Sequence, residues 1–229
     1  MKKYGLAIQN ALVEDALETK GLVSNASFVV RTPDELRAIF DDPKLNVDYL
    51  FFPHWSHIVT EKIYEQIECV CFHSTPLPYG RGGSPVQNMI LRGFEQTEIC
   101  ALRMTKKLDA GPVYLRLSQS LNGPAHQIFS SIYKKIAGMM IEMLTHDLEP
   151  IEQQGSVTQF KRLSGADNEL PTLGSINSLY DHIRMTDADA YPSAWLRYGD
   201  WVLEFRDAVL NGDRVSATVN IRRSDGNHE

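Results

Sequence analysis

Apolar and polar positions alternate between two rhythms along the first half of the chain. Residues 4–9 form a short apolar run of strand length, and helical spacing follows to about residue 20. A second strand is expected over 26–30. It leads into Thr32-Pro33-Asp34-Glu35, which places Thr at an N-cap, Pro at the first helical position and Glu three residues on. That helix should run through residue 40. A third strand is expected over 47–52, a short helix capped by Thr60, and a fourth strand over 68–73. Strand–helix alternation implies right-handed crossovers and an α/β fold, a Rossmann-like parallel or mixed sheet with helices on both faces.

The pattern changes in the middle. Pro85 opens a helix to about residue 92, and strands over 96–104 and 112–117 flank a turn at 108–111. A long helix from about residue 124 carries Ala125, Ile128, Phe129, Ile132, Ile136, Met139, Met140 and Met143 at helical spacing, a stripe that reads as core. Past residue 164 a helix is expected over 175–184. A hairpin then turns on Asn211-Gly212 between strands at 201–210 and 214–221. The expected organisation is a core over 1–164 and an extension over 165–229 packed on it, since about 65 residues are marginal alone.

A chain of 229 residues is one domain, or one with a small appendage, and buries about 70% of its unfolded surface without metal or disulfides. The net charge of −6 argues against nucleic acid or anionic membrane as a generic partner. No apolar run reaches the ~18 residues of a membrane span. Polar Gln9, Asn10, Glu14 and Asp15 interrupt any signal-peptide core. Cys69, Cys71 and Cys100 are too few for a disulfide framework, so the expected compartment is the cytoplasm.

Parallel α/β sheets bind ligands at the carboxyl ends of their strands. Two such ends stand out, Phe52-Pro53-His54-Trp55-Ser56-His57-Ile58 and the long run from Cys71 to Pro85, which holds His73, a Pro-rich loop and glycines around Arg81. No G-x-G-x-x-G follows the first strand and no P-loop motif occurs, although the Gly80–Gly83 turn could present N–H groups to an anion. Metal fits poorly. Alternate strand residues such as Cys69, Cys71 and His73 sit ~6.6 Å apart along a strand, whereas each Zn–S bond is only ~2.3 Å. A histidine at a strand end suits a general base if a carboxylate orients it. Asp109, in Leu108-Asp109-Ala110-Gly111-Pro112, is the best candidate partner.

The run from His73 to Pro85 resembles the signature of folate-dependent formyltransferases: Asn-x-His, a Ser/Leu/Pro-rich loop, Arg-Gly, then Pro at a helix start. Residues 48–58 resemble that family's folate-side strand and loop. Leu108-Asp109-Ala110-Gly111 resembles its Leu-Asp-x-Gly turn, and Ile183-Arg184-Met185 with Tyr191-Pro192 a downstream segment. The likeness spans about residues 48–191; the first 45 residues are shorter than the family's usual amino-terminal half. It implies the formyltransferase fold and transfer of a formyl group from 10-formyltetrahydrofolate, with no metal, to a primary amine. His73 then matches the base and Asp109 its partner. The resemblance places the pterin along Phe52, Pro53, His54, Trp55, Ile58, Met104 and Leu108.

One position departs from the pattern. Cys71 stands where the family has Asn, and a thiol is a weak donor. Loss of such a donor typically costs ~10²–10³ in rate. Asn88, one turn into the helix after Pro85, is the expected replacement. The short form of the family implies a nucleotide-linked amino sugar as acceptor, for surface-glycan synthesis, with Thr75, Tyr79, Arg81, Gly82, Gly83, Lys106 and Arg184 as substrate contacts, and admits a homodimer. The alternatives are a methionyl-tRNA or carrier-bound aminoacyl acceptor, hydrolysis of the donor by water, and a folate-binding module with impaired catalysis.

Overall fold

The computed structural model describes residues 2–40, 45–189 and 191–224. In chain order the elements are β1 (Tyr4–Ile8), α1 (Ala11–Glu18), β2 (Phe28–Val30), α2 (Pro33–Ile39), β3 (Tyr49–His54), α3 (Glu61–Tyr64), β4 (Glu68–His73), β5 (Arg81–Gly82) and α4 (Pro85–Leu91). They continue with β6 (Gln96–Arg103), β7 (Val113–Ser120), α5 (Ala125–Thr145), β8 (Gln159–Phe160), α6 (Ile176–Arg184), β9 (Ala194–Tyr198), β10 (Trp201–Asn211) and β11 (Arg214–Arg223).

Side-chain caps start α1 and α2, whereas Thr60 stands at the start of α3 without a side-chain cap bond. Asn10 Oδ1 accepts from the N–H groups of Leu12 and Val13 to cap α1. Thr32 Oγ1 accepts from Glu35 N, while Glu35 reaches back to Arg31 N, so α2 begins on two reciprocal bonds.

Six strands form a sheet in the order β2-β1-β3-β4-β6-β7. Strand β1 is parallel to β2 and β3, and β3 is parallel to β4, so the order reverses beside β1. Strand β4 pairs antiparallel with β6, setting His73 opposite Cys100. All five residues of β1 are buried, as a strand covered on both faces requires. Gly5 has no side chain because the Phe28 ring lies where its Cβ would stand, 2.2 Å away.

The chain divides into two compact units, residues 1–82, 98–119 and 130–159 in one, residues 83–97, 120–129 and 160–229 in the other. The first holds a cluster of Ala7, Val30, Leu36, Leu50, Phe52, Ile63 and Cys69, with Trp55 and Met104 packed on it. Each such fully buried large side chain contributes about 1.5–3 kcal/mol. In the second, Leu170, Ile183 and Ala194 pack with Leu179, Leu196 and Phe205.

Strands β9, β10 and β11 form an antiparallel sheet. The expected hairpin is present, with Gly212 at φ +60 in its turn. Strand β9 is an addition that the reading of the apolar pattern passed over, although Pro192-Ser193 before it and Gly199-Asp200 after it bracket its five residues. In α5 the stripe from Ala125 to Met143 is buried, apart from half-buried Phe129. No helix among the described residues is long and apolar enough to cross a membrane.

Candidate active site

His73 is the last residue of β4 and is buried, with 6% of its surface exposed. The chain then turns through a loop that is tied down at several points. Leu77 N donates to Thr75 O at 2.8 Å, the Cys100 thiol donates to Thr75 O, and the Arg116 guanidinium donates to Leu77 O at 2.8 Å. Gly80 N and Arg81 N both donate to Thr158 O at 3.0 Å. The result is a fixed position for the Gly80 carbonyl, 2.8 Å from His73 Nε2. Thr75, itself fully buried, donates its hydroxyl to the same oxygen at 3.3 Å.

Asp109 approaches the other side of the ring. Its Oδ2 lies 3.5 Å from His73 Nδ1 and accepts from Gly82 N at 2.9 Å. The residue sits in the turn between β6 and β7 with φ +50, a left-handed conformation that Asp tolerates better than most side chains. Gly111 allows the turn to close, because a Cβ there would lie 1.9 Å from Arg103 O. Both ring nitrogens of His73 therefore face oxygen acceptors. A neutral imidazole donates from one nitrogen only, so its single proton serves one of these acceptors at a time.

Cys71 is half-buried beside this pair. Burial, followed by the negative charge of Asp109, pushes its thiol far up, and Sγ lies 3.8 Å from Leu102 O. Burial also raises Cys69 and Cys100. No group of metal-ligating side chains occurs among the described residues.

The residues expected on the pterin side separate into two groups. Phe52 is buried and packs edge-on against half-buried Trp55, with Met104 on the same cluster. Trp55 Nε1 is buried without a hydrogen-bond partner. Pro53 is buried and His54 half-buried, its ring meeting Tyr133 edge-on. Ile58 and Leu108 are exposed apolar side chains, 94% and 72% respectively.

The expected acceptor residues divide between the units. Thr75, half-buried Tyr79, Arg81 and Gly82 share the first unit with His73 and Asp109, as does exposed Lys106, whose nearest carboxylate is Glu61 at 3.9 Å. Gly83, Asn88 and Arg184 belong to the second. Gly83 N donates to Phe160 O, and a Cβ there would meet the Arg162 backbone at 2.5 Å.

Arg184 differs from expectation: it is buried and structural. Its guanidinium donates to Leu121 O, to Gly123 O at 2.9 Å and to Asp181 at 2.7 Å, and its burial argues against a diphosphate contact. Asn88 is also buried. Its amide donates to Gly83 O, Ser84 O and Lys161 O and accepts from Arg92, so a catalytic role would require those bonds to break.

Gln153 is the residue that the sequence did not single out. It lies in the segment after α5 and bonds both to Arg81 and to the Asp109 turn. A lone glutamine in a polar loop carries no local signal, and its importance arises only from what the fold brings to it.

A family profile described as "Methionyl-tRNA formyltransferase, C-terminal domain" matches residues 165–222. A methionyl-tRNA formyltransferase from Clostridium thermocellum superposes with a TM-score of 0.90 at 33% identity, covering 98% of this chain and 100% of that one. Fold and whole-chain identity together place the chain in the formyltransferase family. Among sequence relatives, the methionyl-tRNA formyltransferase of Mycoplasma mycoides subsp. mycoides is 26% identical over 175 residues, 72% of this chain and 55% of that protein. The chain thus spans about half the length of that curated relative. An N-formyltransferase from Helicobacter canadensis, solved with folinic acid and dTDP-3-aminofucose, shares the fold at a TM-score of 0.62 and 14% identity, over 89% of this chain and 95% of that one.

Proposed function

We propose that the chain transfers a formyl group from 10-formyltetrahydrofolate to a primary amine. The observation that carries this reading is the buried His73–Asp109 pair at the carboxyl end of β4, held by the Gly82 N–H. Phe52, Trp55 and Met104 offer an apolar wall, and the unpartnered Trp55 Nε1 calls for an acceptor on a ligand. Ile58, in the loop after β3, and Leu108, in the turn after β6, add exposed apolar side chains that suit a flat ring. The donor, when bound, supplies an activated formyl carbon.

His73 receives the proton that the attacking amine must lose. To do so the neutral ring holds its single proton at Nδ1 toward Asp109, whose charge stabilises the imidazolium, and turns Nε2 from the Gly80 carbonyl with its lone pair open to the amine. The Cys71 thiol stays protonated and faces a backbone carbonyl, so it replaces neither the family's amide nor a nucleophile.

For the acceptor, the aminoacyl end of a charged tRNA is the reading we favour, supported by the whole-chain likeness to the Clostridium thermocellum protein and the match over 165–222. A nucleotide-linked amino sugar is the second reading, supported by the acidic balance and the fold shared with the Helicobacter canadensis protein. Its expected cation set is weakened, because Arg184 is internal and Arg81 is engaged by Gln153. The deciding experiment follows tetrahydrofolate release with methionyl-tRNA and with nucleotide amino sugars in parallel. Release with the charged tRNA alone supports the first reading, release with sugars alone the second. No release above the rate without acceptor overturns formyl transfer to either.

A further inference from the structure

We propose that Gln153 is a positioning residue for the His73–Asp109 pair, acting as a clamp between the Asp109 turn and Arg81. The inference rests on the reading of His73 as the base.

The clamp uses the whole amide. Nε2 donates to Asp109 O at 2.9 Å and to Gly111 O at 2.8 Å, while Oε1 accepts from Arg81 Nε at 3.1 Å and Nη2 at 2.7 Å. Two hydrogens and two lone pairs are thereby matched, which is all a primary amide offers on its plane. One side of the clamp holds the main chain that carries the catalytic carboxylate. The other side holds the residue next to Gly82, whose N–H grips that carboxylate at 2.9 Å. The two pieces of chain that fix the Asp109 oxygen against His73 are therefore cross-linked through one side chain.

The rest of the unit places Gln153 for this work. Ile151, two residues earlier, bridges to Val113 through N–H···O bonds of 2.8 and 2.9 Å, so the segment enters in register with the start of β7. Asp109 has a positive φ and persists there only because its surroundings determine it. Its carboxylate stands 3.5 Å from Nδ1, a spacing at which a small shift of the turn makes or breaks the contact.

Gln153→Met keeps the length of the side chain and removes all four bonds. Gln153→Glu keeps an acceptor for Arg81 but turns a carboxylate oxygen toward two carbonyls. The test uses the full chain, with the His73 ring nitrogens assigned in ¹⁵N-histidine spectra by difference from His73→Asn. In Gln153→Met the Nδ1 resonance should move in the same direction as in Asp109→Asn, by about half as much or more. With the acceptor found active in the screen above, kcat should fall between about tenfold and a hundredfold, the range expected for misplacing a catalytic group. KM for 10-formyltetrahydrofolate should stay within about twofold. The double variant with Asp109→Asn should be no slower than Asp109→Asn alone, because both changes remove the same interaction. An unmoved Nδ1 resonance overturns the clamp, and so does a loss of kcat that adds to that of Asp109→Asn. If Gln153→Met does not fold, Gln153→Glu is held to the same outcomes. If the wild-type chain transfers no formyl group, the functional reading fails, and the Nδ1 resonance alone decides the clamp.

Discussion

A neutral histidine has one proton to donate, and His73 faces two acceptors, Gly80 O and Asp109. On the proposed mechanism, catalysis through this ring depends on both the ring and its carboxylate. His73→Asn and Asp109→Asn should each lower transfer by at least about two orders of magnitude, measured as tetrahydrofolate release from folded variants. Near-wild-type turnover in either would end the base mechanism. The thiols predict a different quantity. Burial raises all three above the ordinary cysteine value, so the folded chain keeps protons that the unfolded chain begins to lose near pH ~8.5. Their contribution to stability is complete below that pH and declines as pH rises through the folded values. Melting temperature should fall on the alkaline side, and Cys71→Ser should flatten that fall. A Cys71→Ser variant with an unchanged alkaline slope would remove Cys71 from the account. That His73 and Asp109 lie side by side was legible from residue type and motif order, whereas the internal place of Arg184 was not. A guanidinium on an amphipathic helix looks the same in a sequence whether it meets a phosphate or two internal carbonyls.

Among elements, the turn between β6 and β7 is the most constrained piece of chain near the pair. It holds a left-handed Asp109 and a Gly111 packed on Arg103 O. Gly111→Ala should cost about 1–3 kcal/mol in stability, as overpacking does, and should abolish turnover beyond what that loss explains. Urea unfolding with the activity assay separates the two, and an active, stable Gly111→Ala chain would contradict the geometry. By contrast, Thr32→Ala removes one cap of α2 and should cost about 1 kcal/mol with activity intact. Most elements were readable because each carried its own local marker: the Thr32-Pro33 start, the alternating runs, the Asn211-Gly212 turn. The two-residue β5 and β8 had none, since such short pairings are set by whatever backbone the rest of the chain lays beside them.

For the whole molecule, charge gives the sharpest discriminator between acceptors. An acidic chain that binds tRNA must do so through a local set of phosphate contacts, and each contact steepens the fall of affinity with salt. Methionyl-tRNA binding should weaken steeply between low and physiological salt if that reading holds. A shallow slope with an active sugar acceptor would favour the second. Arg184 belongs to this scale as well. It ties Leu121 and Gly123 to α6 within the second unit, so Arg184→Ala should destabilise that unit by several kcal/mol rather than raise an acceptor KM.

The Gly80 carbonyl against His73 bears on economy of the donor. Water is always present at higher concentration than any amine, and a base with an open lone pair would activate it as readily. On the proposed mechanism, an Nε2 that donates its proton to the protein's own backbone offers solvent no lone pair until something displaces the loop. Formyltetrahydrofolate should therefore survive in the presence of the chain alone and be consumed when the amine arrives. The ratio of idle hydrolysis to coupled transfer measures how well that seal holds. Replacing Thr75 by Val, which frees one of the two side-chain contacts on the Gly80 oxygen, should raise it.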